Sequence, residues 1–327
     1  MSQSFIAQYD PQKIQEDVLQ ILAKQKIKGT VDENGDVNID LNSLEHLDIF
    51  LQGSTNSKVR VMLSNMNENI FYILAEESYR FTDVEDETYS EFIALACNSS
   101  HNPSKIMIGQ HGVDISYECP PVNRHEITES DLMSGLYSIN SMQKAFVSIS
   151  DFQTRQFLSS PRDILDLKTL KVRNMSQDVK DIFDPLYLSL KKESNHDILM
   201  GKLKKTLEFL KISYKVDEEG DIQFAYDQTA YYIHPLSANS YKLAAFNLFP
   251  DSASHIKHPY LASWLNESNR LNFGKANLKN INDVEVSFEH VWYENHKVED
   301  HAKTIESWLL YFGQHIKYFE QELRKKL

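Results

Sequence analysis

Asp32, Asn34 and Asp36 alternate through the stretch "VDENGDVNI" (residues 31–39), a spacing that calcium loops use for their first oxygen ligands. Such a loop also needs glycine at its sixth position and a bidentate glutamate at its twelfth. Val37 and Ser43 stand there instead. The stretch returns as "VDEEGDIQF" (residues 216–224), where Asp217, Glu219 and Asp221 are followed by Ile222 and again no glutamate closes the loop. Gly35 and Gly220 sit inside the acidic runs, and Asn34-Gly35 is a strong two-residue hairpin signal. Val37, Ile39 and Leu41 then alternate with Asn38 and Asp40 as a strand requires. Both stretches therefore read as turns rather than metal sites.

The remaining reactive side chains are scattered. His255 and His258 follow Asp251, and His290, His296 and His301 cluster around the start of the last helix, but neither group has a zinc-site spacing. Cys97 and Cys119 are the two cysteines, too few for a disulfide framework, which points to a reducing compartment. Acidic pairs such as Glu85-Asp86 and Glu218-Glu219 fall in predicted turns. The chain carries no GxGxxG, Walker loop or GxSxG, so nucleotide-binding and hydrolase readings lack their backbone requirements. No cofactor is expected.

The chain has 327 residues, room for two domains with separate cores. Its net charge of −13 argues against a phosphate-backbone binder, so no nucleic acid is expected as a partner. No apolar run approaches the roughly 20 residues that span a bilayer. The start "MSQSFIAQYDPQKIQEDV" carries no export signal, and a cytoplasmic protein without a membrane partner is expected.

The recurring turn is the centre of a longer repeat. Leu22, Lys26 and Ile27 recur as Leu207, Lys211 and Ile212 at the same offset of 185 residues. Each set closes an amphipathic helix: Ile14, Val18, Ile21 and Leu22 share one face, as do Leu199, Leu203, Leu207 and Leu210. Asp10-Pro11 is a start signal for the first helix. Downstream, "FIALACNSS" (residues 92–100) aligns with "YLASWLNES" (residues 260–268) at an offset of 168, which places Cys97 opposite Leu265 as a buried hydrophobe. "VDISYE" (residues 113–118) aligns with "VEVSFE" (residues 284–289) at 171. Thr88 to Glu91 form a capping box opening the first of these helices, and Pro259 opens the second.

This pattern predicts an α+β fold of two tandem lobes related by internal duplication: residues 1–150, then a helical connector over 151–195, then 196–327. In the second lobe the order is helix 197–211, strands near 212–217, 222–227, 229–234 and 241–248, helix 259–268, strands 271–278 and 283–293, and helix 299–325. Short links favour antiparallel sheets. The first lobe holds 17 more residues between its hairpin and second helix, enough for an extra strand or a longer hairpin. In the last helix Ile305, Trp308, Leu309, Phe312, Ile316, Phe319 and Leu323 form one stripe, which Leu310, Tyr311 and Tyr318 widen.

"YLASWLNESNRLNFGKANL" (residues 260–278), an aromatic-rich helix leading through "NFGK" into a strand, resembles the YbjN-like proteins, described as bacterial sensory transduction regulators. The resemblance covers Asp197 to Leu327 best; residues 12–150 lack the Phe-Gly-Lys of Phe273 to Lys275. It implies the fold of class I type III secretion chaperones, which hold an extended client segment on apolar patches. A tandem chain would make within itself the pairing those proteins reach as dimers, so a monomer with pseudo-dimeric lobes or a homodimer is expected. The partner expected is another protein or a segment of one, with Trp292, Tyr293, Tyr311 and Tyr318 as candidate contact residues. The alternative is an enzyme or metal-dependent regulator with its site in the cleft between the lobes.

Overall fold

The computed structural model describes residues 11–49, 51, 57–62, 71–81, 90–91, 93–95, 97–98, 104–110, 112–119, 127–150, 196–236, 239–246, 248, 258–272, 274–280, 283–292 and 297–325. The predicted connector over 151–195 and the capping box at Thr88 and Tyr89 lie outside these residues.

Helix α1 (Pro11–Lys24) starts at the proline whose fixed φ suits a first helical position. Its stripe of Ile14, Val18 and Leu22 is buried to within 1% of complete. Lys26, at φ 58°, turns the chain out of the helix: its N–H reaches Ala23 O at 3.0 Å, and Ile27 N–H reaches Leu22 O at 2.8 Å. The first lobe continues through β1 (Gly29–Val31), β2 (Val37–Ile39), β3 (Lys58–Met62) and β4 (Phe71–Arg80). Helix α2 is described at residues 90, 91, 93–95, 97 and 98. Strands β5 (Ser104–Ile108) and β6 (Gly112–Cys119) and helix α3 (Glu129–Ser150) close the lobe.

The second lobe repeats the plan. It comprises α4 (His196–Phe209), β7 (Tyr214–Val216), β8 (Ile222–Tyr226), β9 (Thr229–Pro235), β10 (Ser240–Phe246), α5 (His258–Leu271), β11 (Lys275–Asn280), β12 (Asp283–Val291) and α6 (Val298–Arg324). The sheets are antiparallel and six-stranded, ordered β1-β2-β3-β4-β6-β5 and β11-β12-β10-β9-β8-β7, which is one order read from opposite ends. The fold class is α+β, in an arrangement that resembles a duplicated lobe. One face of each sheet packs on its helices: Val37, Val61, Ile73 and Ile115 under Leu136 and Phe146, and Ile233, Leu243 and Val286 under Trp308 and Phe312. Trp308 stacks on Phe288 with ring centroids 4.1 Å apart.

Local devices recur at matching places. Asp32 Oδ1 accepts from Asn34 N at 2.9 Å and Asp36 N at 3.1 Å; Asp217 Oδ1 accepts from Glu219 N at 3.0 Å and Asp221 N at 2.9 Å. Gly35 and Gly220 follow at φ 87° and 90°, so the two acidic stretches occupy equivalent hairpin tips. Lys211, like Lys26, sits at φ 58° behind its helix, with Ile212 N–H on Leu207 O at 2.9 Å. Asp131 and Asp300 each accept, at 3.0 Å, from the backbone N–H of the residue preceding α3 and α6.

A further pair of devices corrects the register of the second helices. Asn98 brackets Ile106, donating to its carbonyl at 2.9 Å and accepting from its N–H at 2.7 Å; Asn269 brackets Ala276 at the same two distances. Asn98 therefore answers Asn269, not Asn266, and the offset is 171 rather than 168. Cys97 consequently stands opposite Ser268, not Leu265, although it is buried. A shift of three residues is nearly one helical turn, so the apolar stripe fits either register and only the polar clamp separates them.

The extra residues of the first lobe add no strand among the described residues; they lengthen the β2–β3 hairpin, the other form expected, with a 3₁₀ segment over Leu41–Leu47. Asp40 caps that segment by accepting from Asn42 N, and Leu44, Ile49 and Leu51 are buried beneath it. The strand expected from residue 271 begins at Lys275 instead, because α5 runs on to Leu271 and Gly274, at φ 83°, makes the turn.

Candidate functional site

The second face of each sheet, turned away from its core helices, reads in sequence as the solvated side of an alternating strand, yet several of its charges are buried. In the first lobe Lys105 on β5 pairs with Glu118 on β6, with side chains 4% and 8% exposed. In the second, Lys275 on β11 pairs with Glu289 on β12 at 2.6 Å, at the corresponding place. Lys242 on β10 pairs with Glu285, which also accepts from Tyr232. Burial pushes the Lys275 ammonium down, opposed by Glu289 and reinforced by Lys242. Burial also acts to lower Lys242, but Glu285 and Glu289 outweigh it and raise it. The Tyr232 phenol is pushed well up by burial and by Glu285. These groups are locked to one another, as buried charges must be.

The Lys105–Glu118 pair also joins the lobes. Lys105 Nζ donates to Asn272 O at 2.6 Å and to Gly274 O at 3.4 Å, while Glu118 accepts from Gly274 N–H at 2.6 Å. The pair thereby grips the turn between α5 and β11. Around it α5 packs on β5, and Asn266 Nδ2 donates to Glu91 O at 3.3 Å. A β-carbon on Gly274 would come within 3.0 Å of the Phe312 ring, so this turn admits no side chain without repacking.

Of the candidate contact residues, Trp292 is not on an exposed surface. It is 3% exposed and stacks on His301 with centroids 3.5 Å apart, while Lys202 of α4 lies 5.3 Å over its ring. The alternation Val284, Val286, Phe288, His290 runs on into Trp292 and carries it inward, a signal legible in the sequence. Tyr311 meets Trp308 edge-on and Tyr318 meets Phe319 likewise, both half-buried. The Tyr318 phenol is pushed up to about 12 by burial, then by Glu322 and Glu267. Tyr293 lies outside the described residues.

The histidines are divided. His290 and His301 are buried with ring centroids 5.1 Å apart, and His301 Nδ1 meets the Tyr241 hydroxyl at 3.2 Å. His255 and His296 lie outside the described residues, and His258 is the first residue of α5. Among the described residues no group of three His, Cys, Asp or Glu side chains could hold a metal ion. Burial pushes the Cys97 thiol far up, away from the thiolate a nucleophile needs.

Concavities and exposed side chains also stand among the described residues. A cavity of about 460 Å³ lies where β4 bulges between Ala75 and Tyr79, lined by Lys58, Glu76, Glu77 and Asp114. Glu77 takes φ 47° there, and its N–H donates to Asp114 Oδ1 at 2.9 Å. Burial raises the Asp114 carboxyl; the Glu77 N–H opposes this, and the neighbouring Glu76 and Glu77 add to it. A second cavity, about 330 Å³, separates α1 from the start of α3 beside the Lys24–Glu129 pair. On the outer helix faces Ile198 is 56%, Phe209 54% and Leu310 63% exposed. No helix among the described residues is long and apolar enough to cross a membrane.

No family model matches the chain. No curated protein matches it by sequence. Among solved structures, that of YbjN from E. coli, named as a candidate transcription regulator, aligns with 38% of this chain and 93% of its own, at 18% identity and a TM-score of 0.31.

Proposed function

We propose that this chain is a non-enzymatic binding protein of chaperone-like or regulatory type, acting on another protein in the bacterial cytoplasm. Its units are the lobes 1–150 and 196–327 joined by the segment 151–195, and the lobes pair within one chain as subunits of a dimer would. One observation carries this reading. The molecule buries Lys105, Glu118, Lys242, Glu285, Lys275 and Glu289 in pairs, while Ile198, Phe209 and Leu310 stand more than half exposed. These six charges are committed to architecture, and large apolar side chains are left where a partner can cover them.

The test is recovery of the tagged full chain from its native cytoplasm, followed by native mass measurement. The reading predicts a mass exceeding that of the chain and its own multiples by one defined polypeptide. Recovery of the chain alone, with a small molecule turned over by it, contradicts the reading.

A further inference from the structure

The most informative surface is the outer face of α4, because the molecule contains its own control. Ile198, Lys202, Lys205 and Phe209 recur at spacings of four, three and four residues, so they form one stripe along the helix. Beneath them Leu199, Leu203 and Leu207 are buried in the second lobe. In the equivalent helix of the first lobe, at the offset of 185, the stripe reads Lys13, Asp17, Gln20 and Lys24. The fold thus does not require apolar residues at these places. By contrast, the exposed Val31 and Val216 occur in both lobes and belong to the shared hairpin.

The stripe has a definite shape. Ile198 and Phe209 are three turns apart, about 16 Å along the axis. Between them stand two lysines and no acid. Lys202 is held over the Trp292 ring at 5.3 Å, which fixes one cation in the centre of the stripe. The neighbouring Glu208 accepts from the Tyr214 hydroxyl at 3.1 Å.

We infer that the α4 stripe docks an acidic amphipathic helix of a partner protein, with apolar residues three turns apart covering Ile198 and Phe209 and carboxylates between them facing Lys202 and Lys205. This rests on the binding reading above and names its surface. A helix laid along α4 repeats the same spacing on its own face. A lipid surface is disfavoured, because an interfacial helix needs a continuous apolar face, and an anionic leaflet would repel a molecule of net charge −13.

The experiment uses the full chain and an Ala-rich helical peptide bearing two leucines three turns apart, with glutamates on the turns between. A twin peptide with lysines for glutamates and vesicles of phosphatidylserine form the other arms. The glutamate peptide binds with salt-sensitive affinity, and the lysine twin does not. Ile198→Ser, Phe209→Ser and Lys205→Glu each weaken binding on the order of 10-fold while the thermal midpoint stays unchanged. Equal binding by parent and variants overturns the assignment. So does vesicle binding that Phe209→Ser abolishes without any peptide binding. If the Ile198→Ser/Phe209→Ser chain still recovers the polypeptide found with the parent, the α4 assignment falls and the binding reading stands. If the parent recovers none, both fall.

Discussion

Asn269 and Asn98 illustrate how single side chains carry this architecture. Each meets both outward-facing backbone groups of an edge strand, the N–H and C=O of Ala276 or Ile106. Such a strand otherwise presents unpaired groups to a stray chain. Replacing Asn269 with Ala leaves a buried donor and a buried acceptor without their partner. The expected cost is about 2–4 kcal/mol in denaturant unfolding, with Asn269→Asp falling between because it keeps only the acceptor. Gly274 belongs to the same turn. Its φ of 83° and the Phe312 ring 3.0 Å from a built β-carbon predict a loss of about 1–3 kcal/mol for Gly274→Ala. The first of these roles was hidden in sequence, where "CNSSH" and "SNRLN" offer several asparagines and serines and periodicity cannot rank them.

Among the elements, the two hairpins were the most legible. Five of nine letters recur: the first aspartate caps the turn and glycine takes the positive φ, while Val37, Ile39, Ile222 and Phe224 face the core and the recurring Val31 and Val216 stand exposed. The hairpin carboxylates make a pH prediction. The backbone N–H of Asp221, then the Gln223 side chain and the Glu219 N–H, hold Asp217 below its usual range against a burial effect that raises it. Asp32 is likewise lowered: burial would raise it, but the N–H groups of Asp36 and Asn34 prevail. A depressed carboxylate stabilises the fold above its unfolded value, near pH 4, and that contribution vanishes as pH falls through the lower folded value. Protection of the hairpin amides, their exchange taken relative to that of the unfolded chain at the same pH, therefore falls on acidification below about pH 4. In Asp217→Asn, which retains an acceptor but no titratable group, the second hairpin should lose that dependence; an unchanged acid profile would assign it elsewhere. The second helices were less legible, because a three-residue slip preserves an apolar stripe.

At the scale of the molecule, the first sheet meets the turn between α5 and β11 through a charge pair that sequence patterning could not place. Segments such as "YKLAAF" and "VEVSFEH" alternate as if their polar side faced water. Yet Lys105, Glu118, Lys242, Lys275 and Glu285 are buried. A hint existed, since the lysine and glutamate of β5–β6 recur in β11–β12, but nothing local distinguishes a buried pair from a solvated one. Trp292 erred the other way: the alternation that carries it inward outweighs its aromatic character as a contact residue. The Lys105–Glu118 junction is the point where the account can fail. Lys105→Met alone leaves a buried carboxylate without its cation and should cost about 3–5 kcal/mol, whereas Lys105→Met with Glu118→Leu should recover part of that loss.

On the proposed function, these charges hold the molecule together and take no part in its work. The most direct measurement is partner recovery by the doubly substituted chain, at a temperature where it is shown to be folded. The expected recovery equals that of the parent chain. A folded double variant that recovers no partner would contradict it, by making the pair part of the working site.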